Sequence, residues 1–169
     1  IVKEKKEAEA KWAKENPELA DKKKKWFNRV LPNINWEEIE QKSGQATRAA
    51  SANVLSVLAE NVENMIVGSA DLSNSDKTDG FLNKTTALQH NDFSGQFLQA
   101  GVSELTLAAL CVGMSLHGGI IPACGTFFVF SDFLKPMLRL SSIRGLPLTY
   151  VLTHDSIGVG EDGPTHEPI

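Results

Sequence analysis

FLQAGVSELTLAALCVGMSLHGGIIPACGTFF, residues 97–128, is the stretch that decides the architecture. Its first six residues are short and largely apolar, as a strand requires. SELTLAALCVGMSLHGG is rich in leucine and alanine and closes on two glycines, which reads as a helix. IIPACGTFF returns to isoleucine and phenylalanine and reads as a second strand. Downstream the pattern repeats, with SDFLKPMLRLSSIRG as a helix and LPLTYVLTHD as a strand. Both helices end in glycine, which the left-handed cap position favours, and Pro136 has to sit in the first turn of its helix or kink it. Upstream, TRAASANVLSVLAE opens at a capping residue and continues in helix formers, and NMIVGSADL is a short strand that ends in small polar residues. Apolar strands without strict alternation, separated by helices, predict an α/β fold with a mostly parallel sheet covered on both faces.

In such sheets ligands bind beyond the carboxyl ends of the strands. The segments after Val67, Ala100, Cys124 and Leu152 all fall on that edge, so four separated stretches converge on one candidate site. Between the first two strands lies DLSNSDKTDGFLNKTTALQHNDFSG, polar and turn-rich enough to predict a long surface loop.

Residues 1–40 differ in character. They are rich in lysine and glutamate, with Trp12, Leu19, Trp26, Phe27 and Val30 at roughly helical spacing and Pro17 and Pro32 interrupting it, which predicts two solvated helices carrying a thin apolar stripe. Ten of the seventeen Lys and Arg residues lie here, so the remainder carries seven basic against twelve acidic side chains, a poor electrostatic match for nucleic acid. The chain has 169 residues, 41% of them hydrophobic, in the range of one ordinary domain with a real core. No apolar run is long enough to span a membrane and no secretion signal opens the sequence, so a cytoplasmic location without membrane contact is expected. Cys111 and Cys124 sit in apolar segments without partners at metal-ligand spacing and read as small buried hydrophobes.

At the predicted ligand edge, Glu104 lies at the mouth of an otherwise apolar helix. It is either a first-turn carboxylate favoured by the helix dipole or a catalytic group in dry surroundings. Phe127, Phe130 and Phe133 share a side if their segment turns helically, as core or as an aromatic pocket. THDSIGVGEDGPTH, residues 153–166, offers two histidines, three acidic side chains and three glycines. It lacks the one-turn ligand spacing of metalloenzyme helices, and its glycines are not followed by the Lys-Ser/Thr of a phosphate loop. Hydrogen bonding to a hydroxylated substrate stays open.

THDSIGVGEDGPTHEP resembles the signature of the transketolases, and TRAAS, GSADLSNS, GVSEL and GTFFVFSDF precede it in that family's order. The resemblance runs from about residue 45 to the end. It implies a helical inter-domain linker over residues 1–40 and a pyrimidine-binding domain over 41–169, one slice of a longer homodimeric enzyme. That family transfers a two-carbon ketol unit between ketose and aldose phosphates with thiamine diphosphate and a divalent metal, Mg or Ca. The metal ligands are expected in another domain, and GEDG at 160–163 does not replace them. By the same resemblance Glu104 binds and protonates the aminopyrimidine, and Phe127, Phe130 and Phe133 surround its ring. Asp71 lies near the cofactor at the dimer contact. Arg48 and Ser75 bind the sugar phosphate, for which a guanidinium is well shaped. His154, Asp162 and His166 bind the substrate's oxygens, with both histidines assisting proton transfer. Ser103 and Leu105 in GVSEL, and Gln96 in SGQ, depart from the family's usual charged or ring-bearing residues.

Overall fold

The computed structural model describes residues 1–155 and 160–168. Two helices, α1 (Val2–Glu15) and α2 (Pro17–Phe27), open the chain and bury no residue. Pro17 stands at the first position of α2, where a missing amide costs nothing. Ion pairs between charged faces line these helices, among them Lys23 with Glu9 and Lys25 with Asp21.

From residue 47 the chain folds as α3 (Thr47–Asn61), β1 (Met65–Ser69), α4 (Ser73–Asp76), α5 (Asp79–Leu82), β2 (Phe97–Gln99), α6 (Glu104–His117), β3 (Ile121–Phe127), α7 (Ser131–Ile143) and β4 (Thr149–Thr153). The four strands form one parallel sheet in the order β2-β1-β3-β4. The chain leaves β1 toward one side, then crosses back to place β3 on the other. The carboxyl ends of β1 and β3 therefore flank the point where the strand order reverses, where a crevice opens in sheets of this kind.

Alternate residues feed two cores. Val67 and Ala123 pack with Leu55 of α3, Phe81 of α5 and Phe97 on one face. Cys124 packs with Leu107 and Cys111 of α6 and with Ala70 on the other. Both cysteines are reduced and buried, as a small apolar side chain would be, and the hydrogen bond with Cys111, followed by burial, pushes the Cys124 thiol far above its usual range.

Several local expectations are corrected. Thr47 is the first residue of α3, after Ala46, and its side chain makes no capping bond. β2 stops at Gln99, because Gly101 takes a positive φ of 65° and turns Val102 out into solvent. The strand after α6 ends at Phe127, and Phe128–Phe130 form a 3-10 turn leading into α7. Pro136 lies in the second turn of α7, so the helix continues with one internal hydrogen bond fewer. α7 closes on Gly145 with φ 59°, the left-handed geometry expected, whereas Gly118 after α6 pairs a φ of 82° with an extended ψ of 169°.

The stretch 71–95 differs most from its reading. It holds α4 and α5, and Asp76 of α4, Phe81 of α5 and Thr78 between them are fully buried. A polar run can enter a core when its polar atoms find partners there, and these do.

A candidate active site at the carboxyl edge of the sheet

Two of the four strands finish in a hydroxyl side chain and a third carries one at its last position but one, and each hydroxyl serves an ionisable residue of the edge. Ser69 at the end of β1 donates to Asp76 Oδ2 at 2.7 Å. Thr126 near the end of β3 donates to Glu104 Oε1 at 3.2 Å. Thr153, the last residue of β4, pairs through Oγ1 with His154 Nδ1 at 2.9 Å.

Glu104 is the first residue of α6 and only 7% exposed. Thr126 engages one of its oxygens. Its other oxygen has no protein partner among the described residues. Next to Thr126, the aromatic residues form a continuous wall. Phe127 and Phe130 stack with centroids 5.9 Å apart and planes 13° apart, and Phe133 follows at 6.1 Å from Phe130. Phe127 is buried and its face is already covered by the His154 ring at 3.6 Å, whereas Phe133 is 61% exposed. The open part of the wall is therefore the Phe130–Phe133 end.

His154 takes a left-handed φ of 56° where β4 ends, which folds its ring back over Phe127. Its Nε2 lies 2.6 Å from Arg48 Nη1. A guanidinium only donates, so Nε2 accepts, and the ring proton sits on Nδ1 and is donated to Thr153 Oγ1. Asp162 Oδ2, at 3.6 Å from the same Nε2, is too far to compete. Burial, and then the Arg48 charge, hold the His154 pKa below its ordinary value. Arg48 also donates to the Ser75 carbonyl at 3.2 Å, so α3, α4 and the end of β4 meet at one guanidinium. A cleft of about 670 Å³ opens there, lined by Thr47, Arg48, Ser51, His154, Asp155 and Glu167 among others.

His166, though exposed, packs edge-on against Phe130 at 5.8 Å and Phe127 at 6.1 Å. Asp71, also exposed, lies just past β1 with φ 64°, and its side chain has no hydrogen bond or ion pair among the described residues. The structure thus joins Arg48, Ser75, His154 and Asp162 in one group, and Phe127, Phe130, Phe133 and His166 in another. Glu104 adjoins the second group through Thr126, and Asp71 stands apart on the same edge. Ser156, Ile157, Gly158 and Val159 of the closing motif lie outside the described residues.

The profile of the transketolase pyrimidine binding domain matches residues 43–169. The chain belongs to the transketolase family. It is 45% identical to a transketolase of Bacillus subtilis, covering 98% of this chain and 26% of that protein. With the transketolase of Geobacillus stearothermophilus the identity is 43%, over 95% of this chain and 25% of that protein. Among solved structures, transketolase from Leishmania mexicana superposes with a TM-score of 0.84 at 35% identity, over 95% of this chain and 24% of that one. A transketolase of Pichia stipitis in complex with sedoheptulose-7-phosphate gives 0.82 at 35%, over 95% and 25%. The chain spans about a quarter of the length of these relatives.

The departures from the transketolase pattern separate in space. Ser103 and Leu105 flank Glu104, and Leu105 and Val102 are exposed there. Gln96 is instead at the opposite, amino-terminal end of β2, where its amide donates to the carbonyls of Glu63 at 2.9 Å and Met65 at 3.2 Å and braces the entry to β1. It is therefore not a neighbour of Glu104. Sequence reading missed Asp76, Thr78 and the strand-end hydroxyls. A Ser or Thr at or next to the end of three of the four apolar strands was the visible signal for the hydroxyls.

Proposed function

We propose that this chain is the pyrimidine-binding part of a thiamine-diphosphate site that moves a two-carbon ketol unit between ketose and aldose phosphates. The observation that carries the reading is Glu104, buried at the start of α6, held through one oxygen by Thr126 and placed beside the Phe127–Phe130–Phe133 wall. A flat heteroaromatic ring with a basic nitrogen needs such a pair of features, a ring face and one proton-bearing carboxyl at its edge. Thiamine diphosphate supplies, when bound, a carbon acid able to add to a ketose carbonyl. Glu104 is the residue that holds and donates the proton at the aminopyrimidine nitrogen, and Phe130 and Phe133 orient the ring and exclude water. Asp71 lies near enough to the same edge to meet the cofactor at a subunit boundary.

Arg48 and Ser75 take the sugar phosphate, and His154, Asp162 and His166 take its hydroxyl and carbonyl oxygens. The Mg or Ca ligands come, with the diphosphate end of the site, from another domain of the parent protein. Residues 1–40 serve as the linker to that domain. The exposed apolar rim of Val102, Leu105 and Phe133 suits a second copy of the protein, giving a homodimer with the site at its boundary.

The test uses the full-length parent protein with thiamine diphosphate, magnesium and a ketose phosphate. Ketol transfer that Glu104→Ala abolishes is the expected result. Transfer that survives this substitution would overturn the mechanism. A parent without transfer favours a pairing module that lost catalysis, the reading to which Ser103 and Leu105 point.

A further inference from the structure

Asp76 belongs to no group described above, yet it is the most thoroughly engaged side chain of the edge. It is fully buried at the end of α4. Oδ1 accepts from Thr78 N at 2.9 Å and Thr78 Oγ1 at 2.7 Å, and Oδ2 accepts from Ser69 Oγ at 2.7 Å. Ser69 Oγ in turn accepts from Leu72 N at 3.1 Å. The carboxylate thereby closes the loop 70–78 onto the end of β1. It also lies against β3, because a Cβ on Gly125 would stand 2.8 Å from Asp76 Oδ2 and 2.6 Å from Thr78 Cγ2. One buried side chain thus pins this loop to both strands that flank the switch point.

The residue before it is Ser75, whose carbonyl receives Arg48 Nη1, and the same nitrogen holds His154 Nε2. We propose that Asp76 is a positioning residue for the phosphate end of the substrate: it fixes α4 on the sheet, so that the Ser75 carbonyl aims Arg48 and Arg48 orients His154. It touches neither substrate nor cofactor. The loop it holds is short and polar, with Asp71 and Lys77 at positive φ on either side of α4. Such a segment has little apolar burial of its own to keep it in one conformation, so its register depends on these hydrogen bonds.

The inference rests on the assignment of Arg48 and Ser75 to phosphate, and the test separates the two. In the full-length parent, Asp76→Ala is expected to raise KM for a phosphorylated ketose about ten-fold with a smaller change in kcat, and to raise KM for an unphosphorylated ketol donor only about two-fold, the part that acts through His154 alone. Asp76→Asn keeps the acceptor for Thr78 and reverses the bond to Ser69, whose hydroxyl has a second lone pair free, so it is expected to restore most of the loss. Should Asp76→Ala fail to fold, Ser69→Ala, which cuts the link to β1, must give the same KM pattern. The second readout is independent of activity. Nitrogen-15 spectra of labelled histidine are expected to show His154 as a single Nδ1–H tautomer in the parent and in Asp76→Asn, and as a mixture in Asp76→Ala. Equal losses with phosphorylated and unphosphorylated donors, or an unchanged His154 tautomer in folded Asp76→Ala, overturns the proposal. A parent that shows no ketol transfer defeats the functional reading, and the His154 spectra then decide on Asp76 by themselves.

Discussion

Arg48 Nη1 and His154 Nε2 lie 2.6 Å apart although 106 residues separate them, and this contact sets the protonation state of the ring that lies 3.6 Å over Phe127. A guanidinium against an imidazole nitrogen disfavours the imidazolium, and burial disfavours it further, so the neutral ring is held to a pH below its ordinary midpoint of 6.5. Between the depressed folded value and 6.5 the unfolded chain binds the proton more readily. The contribution of His154 to stability is therefore complete above 6.5 and is lost as pH falls through the folded value. Arg48→Leu removes one of the two causes. The expected outcome is a higher His154 midpoint in a histidine NMR titration, and a midpoint that stays put would show that the guanidinium does not act on the ring.

Glu104 and Thr126 form the second relationship that can be tested directly. Glu104→Gln keeps the size and the acceptor for Thr126 but cannot exchange a proton, so ketol transfer in the parent protein should fall on the order of 10²–10⁴-fold. Thr126→Val leaves the carboxyl in place and removes only its restraint. That substitution should lower kcat about five-fold, the factor that corresponds to one neutral hydrogen bond. Steady-state rates with saturating thiamine diphosphate check both, and equal losses in the two variants would mean that Glu104 acts through position alone.

At Gly125 of β3, Asp76 and Thr78 approach the strand backbone, at 2.8 Å and 2.6 Å from where a Cβ would be. Both side chains are buried and hydrogen bonded, to each other and to Ser69, so they cannot swing aside. Gly125→Ala should therefore destabilise the fold by about 1–3 kcal/mol, read as a shift in the urea midpoint. Gly113, which has open space around its missing Cβ, should accept alanine without that loss.

The alternation of apolar strands with helices was legible because periodicity is local, and it placed β1, β3 and β4 and the helices α3, α6 and α7 before any coordinates. The same local signal misread residues 71–95. Asp76 and Thr78 are turn residues by composition, and their burial depends on Ser69 and Gly125, which no window over the loop contains. Phe81 and Phe93 are the two aromatics of that polar run, and only the packing of α5 against α3 shows that Phe81 belongs to the core whereas Phe93 is exposed. The convergence of four strand ends followed from topology, and the assignment of Arg48 and His154 to one substrate came from likeness to a family, whereas their 2.6 Å contact shows only in the fold. Glu104 was ambiguous between dipole partner and catalyst, since the hydroxyl that holds it stands 22 residues away in β3.

Asp76 gives the last prediction, in stability instead of rate. Burial raises its pKa above the ordinary 3.8, and the bonds donated by Thr78 and Ser69 pull the other way without cancelling that rise. The folded state therefore keeps the proton to a higher pH than the unfolded chain does. The stabilisation contributed by Asp76 is complete below 3.8 and is lost as pH rises through the folded value. Asparagine fills the same space and never ionises, so the variant escapes this loss. Relative to the parent sequence, Asp76→Asn should gain stability as pH rises from about 3.5 to neutrality, with the gain levelling off above the folded pKa of Asp76. Paired urea titrations across that range cancel the contributions of all other groups. A difference that is constant with pH would show that the three donors hold Asp76 ionised at its ordinary value despite burial.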